Sequence, residues 1–146
     1  MESKFLTELE TRDLDEDSNF VLLSPLKYYS RLLGGVIAAE RGFISDLAST
    51  PRVPIVYWFY GNRAHREGVI HDFIYRSPNH EILITPLEGE PFKRIVSKRE
   101  ADSVFLEAME ARGKGWFMRR PMWLGVKFGG FSSYRTGPTR FKIMDL

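Results

Sequence analysis

The sequence predicts an α+β domain: a small antiparallel β-sheet or hairpin packed on two antiparallel helices, with a third helix toward the C-terminus. Three observations carry that expectation. Turn signals at Gly34-Gly35 and Arg41-Gly42 divide the N-terminal third into short strand-like runs. Residues 63–76 and 97–112 repeat their apolar positions at three- and four-residue steps, the spacing of a helix face. Ser97-Lys98-Arg99-Glu100 is a capping box, a hydroxyl followed three positions later by a carboxylate, and it opens the best helix in the chain. With 146 residues, 43% of them hydrophobic, the chain suits one domain spanning 1–146 with a packed core.

In chain order, "NFVLLSPLKYYS" reads as strand broken at Pro25, and "LLGGVIAAERGFISDL" as turn, apolar strand and turn. Thr50-Pro51 is a helix-start signal, and "VPIVYWFY" after it is a short buried helix or a strand. From Arg63 to Arg76 a helix is expected, with Ala64, Gly68, His71 and Tyr75 on one face and Ile70, Phe73 and Ile74 widening the buried side. Pro78 stops it. "ILITPLEGEPFKRI" suggests a hairpin or loop, interrupted by Pro86, Gly89 and Pro91. The helix from Ser97 carries the stripe Ala101, Val104, Phe105, Ala108 and Met109 and stops at Gly113. "WFMRRPMWLGVKFGG" reads as the third helix, kinked near Pro121, and the tail as extended or loop-like.

Composition excludes several classes. There is no cysteine, so disulfides and thiolate chemistry are out. No apolar run approaches the roughly 20 residues a bilayer span needs. The acidic N-terminus lacks the apolar core of a signal peptide. Net charge is +2 but polarised: an acidic segment at 1–17 and a basic segment at 112–146. These ends are either solvated or meet head to tail between subunits, and the basic one could also meet nucleic acid or anionic lipid. "GWFMRRPMW" mixes bases with aromatics, which suits nucleic acid or a membrane surface, but a solvated arginine pair on a packed helix explains it first, and nucleic acid is not an expected partner.

The chemistry concentrates in three places: Asp46 in "FISDLASTPR", the pair His71-Asp72, and Asp102 beside the apolar stripe of the second helix. A carboxylate on an apolar face needs a partner, because an unpaired buried charge is strongly disfavoured. Antiparallel helices would let Asp102 accept from one ring nitrogen of His71, leaving the other free to act as a base on water. Asp72, about 100° further round the helix, would point elsewhere and could bind a hard cation. The competing reading is a buried polar clamp without turnover. Asp46 reads first as a turn or capping residue and second as a member of the same site. His65 falls on a different face, so a shared metal with His71 is not expected.

"HDFIY" followed by "ADSVF" resembles the helix pair of phospholipase A2 enzymes, especially the viral capsid type. That resemblance implies His71 as the base, Asp102 as its orienter, Tyr75 as a supporting donor, Asp72 (with Asp46 the other metal candidate) as a calcium ligand, and calcium as cofactor. The glycine-rich calcium loop and the cysteines of secreted members are not found. A broader likeness runs from about residue 36 to residue 130: "GFISDLASTPR", "HDFIYR" and "SKREADSVFLEAMEARG" resemble a phage and prophage family described only as domain of unknown function 1353. This resemblance implies a tailed-phage setting, in the virion or the host bacterial cytoplasm. The expected function is then a virion-associated or tail and baseplate assembly protein, with other phage structural proteins or further copies of itself as partners. The alternative is a metal-assisted, phospholipase A2-like hydrolase of host envelope lipid esters during entry or lysis.

Overall fold

The computed structural model describes residues 1–14, 19–45, 66–111, 134–135 and 137–146. Six short strands occupy the first 45 residues: β1 (Lys4–Phe5), β2 (Thr11–Asp13), β3 (Phe20–Leu22), β4 (Leu26–Ser30), β5 (Gly35–Ala39) and β6 (Ile44–Ser45). They pair antiparallel in two sheets, β1-β4-β5 and β2-β3-β6. Helix α1 (Arg66–Arg76) follows, then strands β7 (Glu81–Ile84) and β8 (Phe92–Ile95) as a hairpin, and helix α2 (Lys98–Ala111). The mixed α+β class is therefore as the sequence predicts, with three small antiparallel sheets in place of one.

The two glycines at the β4–β5 turn do different jobs. Gly34 sits at φ +75°, a left-handed conformation that side chains resist, and its N–H donates to the Ser30 carbonyl at 2.9 Å. Gly35 has no such angle. A Cβ there would meet Ile84 Cγ2 and the Thr85 carbonyl at 2.7 Å. Its missing side chain lets the β7 end close on β5, where Val36 and Thr85 exchange backbone hydrogen bonds of 2.7 and 3.0 Å. The register Leu26↔Ala39, Tyr28↔Ile37, Ser30↔Gly35 then turns Leu26, Tyr28, Ile37 and Ala39 into the core.

The acidic head is more than a charged end. Residues 4–5 and 11–13 form edge strands, paired as Lys4↔Tyr29 and Thr11↔Leu22. Phe5 and Leu9 pack on the core. Charge dominates the composition there, but a few apolar residues at the right register suffice to zip an edge.

Helix α1 departs from the expected one-faced pattern. Every residue from Glu67 to Arg76 is buried. The helix packs against α2, β4, β5, β6 and the tail turn Gly137–Arg140, so it has no solvent side. Pro78 ends it as expected, with Ser77 Oγ donating to the Phe73 carbonyl at 2.7 Å and Asn79 and His80 in left-handed conformations. On α2 the capping box is formed in both directions: Glu100 N donates to Ser97 Oγ (3.1 Å) and Ser97 N to Glu100 Oε1 (3.3 Å). The buried stripe is the expected one, Ala101, Val104, Phe105, Ala108 and Met109, with Asp102 buried among them. The tail returns to the core: Ile143 bridges Phe43, and the Phe141 ring lies 5.7 Å from that of Phe43. The expected third helix in "WFMRRPMWLGVKFGG", the segment "VPIVYWFY", and Asp46 and His65 lie outside the described residues. No described helix is long and apolar enough to cross a membrane.

Candidate active site

The helical spacing of His71 and Tyr75, one turn apart, aims both at α2. His71 Nε2 lies 2.9 Å from Asp102 Oδ1, and the Tyr75 hydroxyl donates to that same oxygen. Lys98, four residues before Asp102 on α2, donates its Nζ to Oδ2 at 2.7 Å. The Phe105 ring closes the His71 side, with centroids 5.0 Å apart, and Tyr75 lies 4.0 Å away on the same measure. The expected contact between His71 and Asp102 is thus made directly, with no exposed surface on His71 and 3% on Asp102.

Electrostatics follow from that arrangement. Burial pushes the Asp102 carboxyl up, but the hydrogen bond and charge of His71, with Lys98 and Tyr75, outweigh it and hold the carboxyl below its usual value. Asp102 is a carboxylate at neutral pH. Tyr75 moves the other way: burial first, then its bond to the carboxylate, raise its phenol far above the ordinary range, so it stays a donor. Since Asp102 accepts, His71 Nε2 carries the proton; Nδ1 presents a lone pair when the ring is neutral, and the positive charge that helps hold Asp102 ionised belongs to the ring once Nδ1 has taken a proton. That Nδ1 is buried and has no hydrogen-bond partner among the described residues. A base oriented at one nitrogen and carrying a free lone pair at the other is what proton abstraction from water requires, once water can reach it.

Asp72 points away from this dyad, as the helix geometry predicts. Its Oδ2 accepts from Ser45 Oγ at 2.5 Å, and its Oδ1 lies 3.1 Å from Arg76 Nε. Arg76 Nη1 in turn donates to the Ile44 carbonyl at 3.2 Å. A calcium ion takes six to eight oxygen ligands at about 2.3–2.6 Å. Both oxygens of Asp72 already have partners, one of them a guanidinium. Among the described residues no group of three or more His, Cys, Asp or Glu residues could hold a metal ion. The residues present do not fit the calcium site that the phospholipase resemblance implies for Asp72, and the other metal candidate, Asp46, lies outside the described residues.

Three residues of the cluster, and a buried glutamate on the same helix, escaped the sequence reading. Lys98 and Arg76 stand four residues from their aspartates, a spacing that pairs charges on a helix and was there to be read. Ser45 reaches Asp72 across 27 positions, and only folding brings it there. Glu67, in the first turn of α1 and one turn before His71, is fully buried. A second polar cluster was also missed. Glu107 accepts from Tyr28 OH and Ser30 Oγ at 2.8 Å each and from Leu32 N at 2.9 Å, tying α2 to the β4–β5 hairpin.

A family profile described as protein of unknown function (DUF1353) matches residues 20–126, a span that holds His71, Asp72, Tyr75 and Asp102. No curated protein and no solved structure matches the chain.

Proposed function

For a chain that belongs to the DUF1353 family of proteins of unknown function, we propose from the site itself a hydrolase in which His71 is the general base and Asp102 its orienter. The observation that carries this reading is the buried Nδ1, without a partner among the described residues, of an imidazole whose Nε2 is held by a carboxylate. Nδ1 takes a proton from water as the water oxygen bonds to an ester carbonyl carbon. The ester C–O bond then breaks, and the leaving alkoxide takes the proton back from Nδ1. Tyr75 and Lys98 touch Asp102 and keep it ionised. The likeness of "HDFIY" and "ADSVF" to phospholipase A2 helices makes a lipid ester of the bacterial envelope the substrate class. His71 is fully buried, so turnover requires a local opening toward Nδ1. The test is release of fatty acid from anionic phospholipid vesicles by the full chain and by His71→Gln. The expected result is hydrolysis that the variant loses while keeping a cooperative melt. Absence of hydrolysis by the unmodified chain, or equal hydrolysis by the variant, removes the proposal.

The same burial favours a second reading, a virion-associated or tail and baseplate assembly protein of a tailed phage. In it the cluster is internal scaffolding: Asp102 joins α1 to α2, and Asp72 joins α1 to β6. The partners are then other phage structural proteins or further copies of this chain. A large fall in the melting temperature of His71→Ala, with no hydrolysis to lose, supports this reading.

A further inference from the structure

Each aspartate of the cluster has a cation four residues away on its own helix: Arg76 for Asp72 and Lys98 for Asp102. The Asp72 pair is the deeper one, its two side chains 0% and 6% exposed. We infer that the site takes no calcium, Arg76 holding against Asp72 the positive charge that the phospholipase resemblance would assign to a metal ion.

Three observations support this. First, the oxygens of Asp72 are committed. Ser45 donates to one and the Arg76 guanidinium sits beside the other, so a calcium ion at bonding distance would have to displace both. Second, the guanidinium is anchored. It also donates to the Ile44 carbonyl, at the start of β6, and it lies in the last turn of α1, where a cation is favoured by the helix dipole. Third, displacement would leave a buried arginine beside a divalent ion, two like charges in a region of low dielectric. An arginine cannot relieve that by losing a proton. The arrangement also links the pair to the base: Asp72 adjoins His71 in the chain, so a guanidinium fixed on Asp72 fixes the turn that presents the imidazole.

The inference deepens the hydrolase reading, but its test does not depend on turnover. The full chain is titrated with calcium chloride by calorimetry and melted in millimolar calcium and in EDTA. The expected result is no saturable heat and the same melting temperature in both. Arg76→Met is expected to lower the melting temperature by about 10 °C, because a buried carboxylate loses the cation beside it. Adding Asp72→Asn to that variant is expected to recover part of the loss. Saturable calcium binding that Asp72→Asn abolishes overturns the inference, as does a double variant no more stable than Arg76→Met. If the variants do not fold, the calorimetry on the unmodified chain still decides. A chain that neither binds calcium nor hydrolyses lipid removes the proposed function and upholds this inference. Calcium-dependent hydrolysis does the reverse.

Discussion

Replacing Asp102 by asparagine changes almost no volume and removes one charge, which makes it the sharpest probe of the helix–helix contact. Three donors converge on this side chain, His71 and Tyr75 on Oδ1 and Lys98 on Oδ2. An amide offers one accepting oxygen and an NH2 group that only donates. With its oxygen turned to His71 and Tyr75, two charge-assisted bonds become neutral ones, a loss of about 1 to 1.5 kcal/mol each. Its NH2 then faces the Lys98 ammonium, but that side chain is 16% exposed and can turn to water, so its contribution is at most about 1 kcal/mol. A neutral amide is less costly to bury than a carboxylate, which leaves a net destabilisation of about 2–3 kcal/mol. For a chain of this size that lowers the melting temperature by roughly 5–10 °C. Chemical denaturation adds a test of sign. The folded carboxyl titrates below its unfolded value, so its contribution is present above the unfolded value of about 3.9 and is lost as pH falls through the folded one. The stability gap between the unmodified chain and Asp102→Asn is therefore expected to hold at pH 5 and to shrink as pH falls below about 4. A variant melting within about 1 °C of the unmodified chain would refute the reasoning, because it would mean that the charge on Asp102 does not join the helices.

Three further outcomes are expected. Glu107→Ala leaves the buried Tyr28 hydroxyl and Ser30 Oγ without their acceptor and is expected to cost about 2–3 kcal/mol by denaturant titration. Gly35→Ala drives a methyl into Ile84 and the Thr85 backbone and is expected to cost about 1–3 kcal/mol, with faster amide exchange at Val36 and Thr85. Ser97→Ala removes the cap of α2 and is expected to cost about 1 kcal/mol, while Ser97→Asp, which restores an acceptor, retains most of the stability.

The parts of this protein that were legible in its sequence rest on local rules. Ser97 and Glu100 cap α2 because a hydroxyl and a carboxylate three positions apart reach the free N–H groups of a first turn. His71 and Asp102 were matched because each sat on an apolar face and each needed a partner. The edge strands at 4–5 and 11–13 were not legible, since two or three residues carry no period and their register is set by strands further along. Ser45 and Glu107 were missed for the same reason: their partners lie 27 and 75 to 79 positions away. Arg76 was within reach of the four-residue charge rule, but a lone arginine near a helix end reads as an ordinary solvated residue until its burial is seen.

Helix α1 is enclosed on all sides, and it carries both the imidazole and the aspartate–arginine couple. Its amide protons should therefore be among the last in the molecule to trade with solvent deuterium, escaping only when the whole structure lets go. A visitor to the bare nitrogen of His71 needs less than that, a parting of the side chains packed over the ring, and the rate of that local parting sets a ceiling on how fast this centre can turn over.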